Sequence, residues 1–179
     1  MQHQRLVIAT GITNLTDARY FSAMGVDWMG FDLTREPRIS RERMQAIMDW
    51  VEGPRWLVEL DGTALEGLPE GIAGVVVPAG QALRDWHGQT IVSVSTGLPA
   101  DADVALVDVT RDARLPAWVA DAEMPVWIRA PWDEALLSKI LPMAPQAGIV
   151  LSGSTEEAVG IRDYDAMDAL FELLETARG

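Results

Sequence analysis

An abbreviated (β/α)8 TIM barrel, with its helices trimmed between strands 3 and 6, is the fold this sequence predicts. Three observations point there. Eight short apolar runs recur along the chain, each compact rather than alternating, as parallel strands buried on both faces require. Segments with helix start and stop residues separate the outer runs. The 179 residues divided by eight units leave about 22 per unit, whereas barrels of this type use about 250 residues in all. One domain, residues 1–179, therefore accommodates eight units only if several outer helices are cut short. A flavodoxin-like sheet of five or six strands is the rival, and it requires two or three of the runs not to be strands.

In chain order the expected strands are Leu6–Thr10, Trp28–Asp32, Arg55–Glu59, Gly74–Val77, Thr90–Val94, Val104–Asp108, Val126–Arg129 and Gly148–Leu151. A helix over Asn14–Met24 opens with cap-type residues and stops at Gly25. Ser40 is the expected N-cap of a helix running to Val51, with Glu42 placing negative charge in its first turn. Trp132–Leu141 starts with Asp133 and Glu134 and runs into Pro142. Asp163–Ala177 is amphipathic, with Met167, Leu170, Phe171 and Leu174 on one stripe. Between the third and sixth strands only stunted helical pieces are expected, at Ala64–Leu68 and Ala82–Trp86, and Thr96–Asp103 reads as a loop.

Composition narrows the function. With 49% hydrophobic and 23% charged residues, the chain can bury a sizeable core. Its formal charge of -13, from 14 basic and 27 acidic residues, repels nucleic-acid backbones and anionic membranes, so neither is an expected partner. Cysteine is absent, which excludes disulfides, thiolate metal sites and a thiol nucleophile or base. The two histidines, His3 and His87, do not suggest a metal centre or a histidine triad. No apolar run is long enough to span a bilayer, and no secretory h-region follows Met1, so a cytoplasmic protein is expected. No cofactor is expected.

Asp32, Glu59 and Asp108 end predicted strands, with Asp61 just beyond. Barrel active sites are assembled on that face, so these carboxylates are expected to share a rim. Such a group can recruit a cation such as Mg²⁺, but an acidic rim in an acidic protein is the plainer reading, and no metal is expected. The seven tryptophans read as core residues filling in for short helices. Trp132 alone is placed to lie over the barrel mouth.

The stretch Ile8-Ala9-Thr10-Gly11-Ile12-Thr13-Asn14-Leu15-Thr16-Asp17-Ala18-Arg19 resembles the opening of the phosphoribosylanthranilate isomerases. There a strand ends in Lys-Ile-Cys-Gly-Ile-Thr and leads to a helix containing Asp-Ala. The likeness continues through Met24-Gly25-Val26-Asp27, Met29-Gly30-Phe31 and Pro37-Arg38-Ile39-Ser40. Leu106-Val107-Asp108 is similar to the family's sixth strand. Leu151-Ser152-Gly153 and Gly160-Ile161-Arg162-Asp163 are similar to its last strand turn and last helix entry. From Val58 to Val104 only order and spacing agree.

The resemblance implies an Amadori rearrangement of a phosphorylated aminosugar in tryptophan biosynthesis, using one general acid and one general base. It implies Asp108 as the acid and Arg38 as the anchor for a substrate carboxylate. It makes Ser152 and Gly153 a remnant of the phosphate turn. Thr10 stands where the family has its basic cysteine, and an aliphatic hydroxyl is too weak a base to replace it. The family's glycine pair after the seventh strand is replaced by Ala130-Pro131-Trp132, where proline removes a donor. The aspartate before the last turn is replaced by Ile149. Arg129 is a candidate for supplying the missing positive charge, or else a solvated strand-end arginine. Two readings follow. One is an acid–base isomerase of a small anionic substrate, with Asp32 or Glu59 as the unassigned base. The other is a catalytically silent barrel kept for ligand binding or protein association. Trimmed helices are expected to bare apolar barrel wall and favour a homodimer.

Overall fold

Strand and helix positions follow the apolar runs closely. The computed structural model describes residues 5–62, 65–81, 83, 85–110, 114–152 and 164–178. In order they form β1 (Val7–Thr10), α1 (Leu15–Ala23), β2 (Trp28–Asp32), α2 (Arg41–Met48), β3 (Arg55–Glu59), β4 (Ile72–Pro78) and β5 (Gln89–Val94). Then come β6 (Val104–Asp108), β7 (Val126–Arg129), α3 (Glu134–Ile140), β8 (Gly148–Ser152) and α4 (Tyr164–Arg178), with a 3₁₀ turn at Ala117–Val119 before β7. Every strand pairs in parallel with the next, and β8 returns to β1 from Val7 opposite Ile149 to Thr10 opposite Ser152. The sheet is a closed eight-stranded barrel, which leaves no strand edge unpaired.

Closure sorts the side chains by parity. Ile8, Trp28, Leu57, Val76, Ile91, Leu106, Trp127 and Val150 form one buried cluster inside the barrel. Their chain neighbours, such as Ala9, Met29, Val58, Val75, Val107, Ile128 and Ile149, belong to a second buried cluster outside the strands. Two tryptophans fill the barrel floor: Trp28 and Trp127 meet edge to face at 5.7 Å between ring centroids. Glycines make room for them. A Cβ on Gly74 would lie 3.0 Å from the Trp28 ring, and one on Gly148 would lie 2.7 Å from the Trp127 ring.

Local chemistry sets the helix ends. Asn14, Ser40 and Asp133 each accept a backbone N–H from three residues on, capping α1, α2 and α3. Gly25 takes a φ of 70°, the left-handed turn that ends α1. The helical pieces expected at 64–68 and 82–86 are not helices among the described residues. Gly67 and Asp85 hold φ values of 80° and 59°, which interrupt any helical run. Ala64, Ala82 and Arg84 lie outside the described residues, as do Gly153 and the 160–163 entry segment.

One expectation is corrected. The wall from β3 to β6 lacks helices among the described residues, yet it is not bare. Its outward residues Val58, Val75, Val77, Val92, Val94 and Val107 are all buried. Loop side chains cover them, including Leu65, Leu68, Leu83, Trp86 and Leu115. Large loop residues do here what an amphipathic helix does elsewhere, with fewer residues. No helix among the described residues is long and apolar enough to cross a membrane.

Candidate functional site

Two residues beyond the interior position on seven strands, and four beyond Trp28 on β2, the chain reaches the C-terminal mouth with its side chain still pointing inward. Parity therefore assembles a top layer of Thr10, Asp32, Glu59, Pro78, Ser93, Asp108, Arg129 and Ser152, one from each strand. The registers agree, placing Thr10 beside Ser152, Asp32 beside Glu59, Pro78 beside Ser93 and Asp108 beside Arg129. Asp32, Glu59, Asp108, Arg129, Ser152 and Thr10, singled out from sequence, thus share one ring.

Arg129 organises it. Its Nη1 and Nη2 donate to Glu59 Oε2 and Oε1 at 2.6 and 3.0 Å, a two-point contact across the mouth from β7 to β3. Its Nε and Nη2 donate to Asp108 Oδ1 and Oδ2 at 2.5 and 3.1 Å on the neighbouring strand. Ser93 Oγ donates to Asp108 Oδ2 at 3.3 Å. The side chains of Arg129 and Glu59 are 19% and 14% exposed, whereas that of Asp108 is 52% exposed. Burial alone pulls the Arg129 pKa down, but the hydrogen bonds to and charges on Asp108 and Glu59 outweigh it and raise it above its ordinary value. Arg129 is neither a free phosphate donor nor a solvated strand end. It is the cation that holds two rim carboxylates together.

The remaining candidates sit apart from this cluster. Asp32 accepts from Thr34 N–H and Oγ1 at 2.9 and 2.6 Å and pairs with Arg35 at 3.1 Å. Arg38 lies in the β2–α2 connection with an exposed side chain, 3.2 Å from Glu36 and 3.7 Å from Asp61. It borders a cavity of about 230 Å³ with Leu33, Leu60 and Leu68, outside the ring. Thr10 is buried in the ring. Trp132 anchors the β7–β8 rim by donating its indole N–H to the Val150 carbonyl at 2.8 Å. Ile149, which the sequence resemblance sets against the family's aspartate, is a fully buried residue on the outer face of β8. Among the described residues no three His, Asp or Glu side chains are grouped to hold a metal ion.

Ser93 escaped the reading of the sequence. Counting two residues on from the buried Ile91 would have placed it in the ring, but a one-residue error in a strand boundary reverses its face.

Comparison with solved structures places this geometry. The monomers generated from the dimeric phosphoribosylanthranilate isomerase of Thermotoga maritima superpose with a TM-score of 0.75 at 16% identity, over 96% of this chain and 98% of that one. The fold is that of the phosphoribosylanthranilate isomerases. The Thermus thermophilus isomerase gives 0.72 at 21% identity, covering 96% and 98% of the two chains. A thiamine phosphate pyrophosphorylase from Bacteroides thetaiotaomicron gives 0.66 at 15% identity, over 97% and 96%. No family model matches the sequence, and no curated protein matches it. In this isomerase-like barrel, Thr10 ends β1 and Asp108 ends β6, the positions the resemblance implied for base and acid.

Proposed function

We propose that this isomerase-like barrel is retained for binding rather than for Amadori turnover. One observation carries the reading: both oxygens of Asp108 accept hydrogen bonds from Arg129. Both oxygens of the implied general acid are thus held by the chain's own guanidinium rather than turned to a substrate. The base position supports the same conclusion. Thr10 offers a hydroxyl, and no histidine or carboxylate among the described residues hydrogen-bonds to it as an activating partner. Pro131 adds no backbone donor for a phosphate, and the Trp132 indole N–H is committed to the Val150 carbonyl.

The test is complementation of a tryptophan auxotroph lacking this isomerase, paired with a purified-enzyme assay. Wild type and Thr10→Cys are both expected to fail, since restoring the thiol leaves Asp108 engaged. Rescue by wild type, abolished by Asp108→Asn, would overturn the reading.

The exposure of Asp108 favours a second reading. Its half-exposed side chain lies where a substrate would enter. An anion that took over Arg129 would release Asp108 to act as an acid, with Asp32 or Glu59 as the base. The substrate would then be a small phosphorylated or carboxylated aminosugar.

A cytoplasmic location and a homodimer belong to the same proposal. With the β3–β6 wall covered, the support for self-association is now Leu6, Trp50 and Met143. These exposed residues lie in the segments that lead into β1, β3 and β8 at the opposite face. Mass in solution tests this: a strict monomer at micromolar concentration removes the dimer.

A further inference from the structure

We infer that the Nε–Nη2 edge of Arg129 is a binding site for a small carboxylate, occupied at rest by the chain's own Asp108. The inference rests on reading the mouth as a binding site, and it names the ligand chemistry and the competitor. A guanidinium carries five donors. The two carboxylates take four hydrogen bonds from it, two on each edge. The edges differ in what surrounds them. Glu59, the more buried of the two, crosses the barrel from β3 and is the permanent partner. Asp108 is half exposed, sits on the strand beside Arg129, and among the described residues has Ser93 as its one other side-chain hydrogen-bond partner.

Exchange is therefore easy on one side only. Asp108 can turn into water and recover its hydration, whereas Glu59 would remain buried and unpaired. What replaces Asp108 must present two oxygens in a plane to the freed edge, which a carboxylate does. Charge then separates carboxylate from phosphate. The cluster already holds one positive and two negative groups, a net charge of −1. A monoanion adds one unit of repulsion and a phosphate dianion nearly two, at short range in a partly desolvated mouth. The site selects a monocarboxylate, the functional group of Asp108 itself.

The experiment titrates the full chain with sodium acetate and, separately, with inorganic phosphate at constant ionic strength in a carboxylate-free buffer. It reads the arginine Nε–Hε signals by ¹⁵N–¹H correlation NMR, and Arg129→Gln identifies the Arg129 signal by its loss. Acetate is expected to shift that signal in wild type and to bind about tenfold more tightly in Asp108→Ala. Asp108→Asn should fall between them, and it carries the comparison if the alanine variant unfolds. Phosphate should bind more weakly than acetate in wild type, where the cluster carries its net negative charge. Equal acetate affinity with and without the Asp108 carboxylate overturns the competitor role, and a preference for phosphate in wild type overturns the ligand class. Equal shifts of all exposed arginine signals would mean a general salt effect only and would also overturn the site. Complementation is scored separately, so rescue of the auxotroph would sink the non-catalytic reading without touching the acetate result.

Discussion

At the end of β7 a single guanidinium spends its hydrogen bonds on carboxylates from β3 and β6, and the chemistry of the mouth follows from that side chain. Because the paired carboxylates raise its pKa, the charge on Arg129 persists at any pH the fold survives. Removing it leaves the largely buried Glu59 facing Asp108 with no cation between them. Arg129→Gln is therefore expected to destabilise the fold by about 2 kcal/mol. That is less than the 3–5 kcal/mol typical of a broken buried pair, because Asp108 is half exposed and screened by water. Urea unfolding checks this, and a midpoint equal to that of wild type would show the cluster to be energetically idle. Adding Glu59→Gln should recover part of the loss. The strand-end positions of Asp32, Glu59, Asp108 and Arg129 were legible in the sequence, because a compact apolar run ending in a charged residue marks a strand emerging at the rim. Their pairing was not. Arg129 and Glu59 are 70 residues apart on non-adjacent strands, and only closure of the barrel brings them face to face.

Helix ends were legible for a different reason: capping is local. Asn14, Ser40, Asp133 and Gly25 sit within a few residues of the groups they satisfy, so the chain declares them without tertiary information. The segments around Gly67 and Asp85 lack such signals, and their backbone is set by how loop side chains cover the wall. Long-range helix docking was equally hidden. α1 and α4 are locked together by Tyr20, which donates to Asp168 at 2.5 Å, and by Tyr164, which donates to Asp17 at 2.9 Å, with the two rings 4.5 Å apart. This clamp ties the helix after β1 to the helix after β8 and so secures the seam of the barrel. Burial, then the hydrogen bond to Asp168 and its charge, raise the Tyr20 pKa above its ordinary 10.0. The folded state therefore keeps this proton after the unfolded chain has lost it. The contribution to stability is full below pH 10.0 and is lost as pH rises through the folded value. Tyr20→Phe is expected to cost about 1 kcal/mol at neutral pH and to flatten the fall in stability above pH 10.0. Unfolding curves for both proteins between neutral and strongly alkaline pH decide it. Parallel pH profiles would show that the phenol is not linked to folding.

Over the whole molecule, a barrel of this length closes because its interior is filled at both ends by different chemistry. The mouth is held by an ion cluster and the floor by two tryptophans whose rings need more width than strand spacing allows. Glycine at Gly74 and Gly148 supplies that width, one beside each ring. Eight compact apolar runs made the barrel legible, but the reason for these glycines was not, since each faces a ring on another strand. Gly148 does not have a positive φ, so alanine there meets no backbone penalty and its effect isolates the packing. Its Cβ would fall 2.7 Å from Trp127 Cδ1 and 3.1 Å from both Trp127 Nε1 and Ile8 Cδ1. Trp127 cannot swing away, because it is buried against Trp28. Gly148→Ala is thus expected to destabilise the fold by about 2 kcal/mol, the usual size of an overpacked core. Trp127→Val removes both clashing atoms, Cδ1 and Nε1, at the cost of a cavity. The two changes together should then cost less than their sum by about 1 kcal/mol, the coupling of residues in direct contact. Thermal or urea unfolding of the four proteins in the cycle measures it, with near-ultraviolet circular dichroism following the indole pair. Strict additivity would mean that Trp127 does not set the need for glycine, and that the floor is held open by something other than the width of its rings.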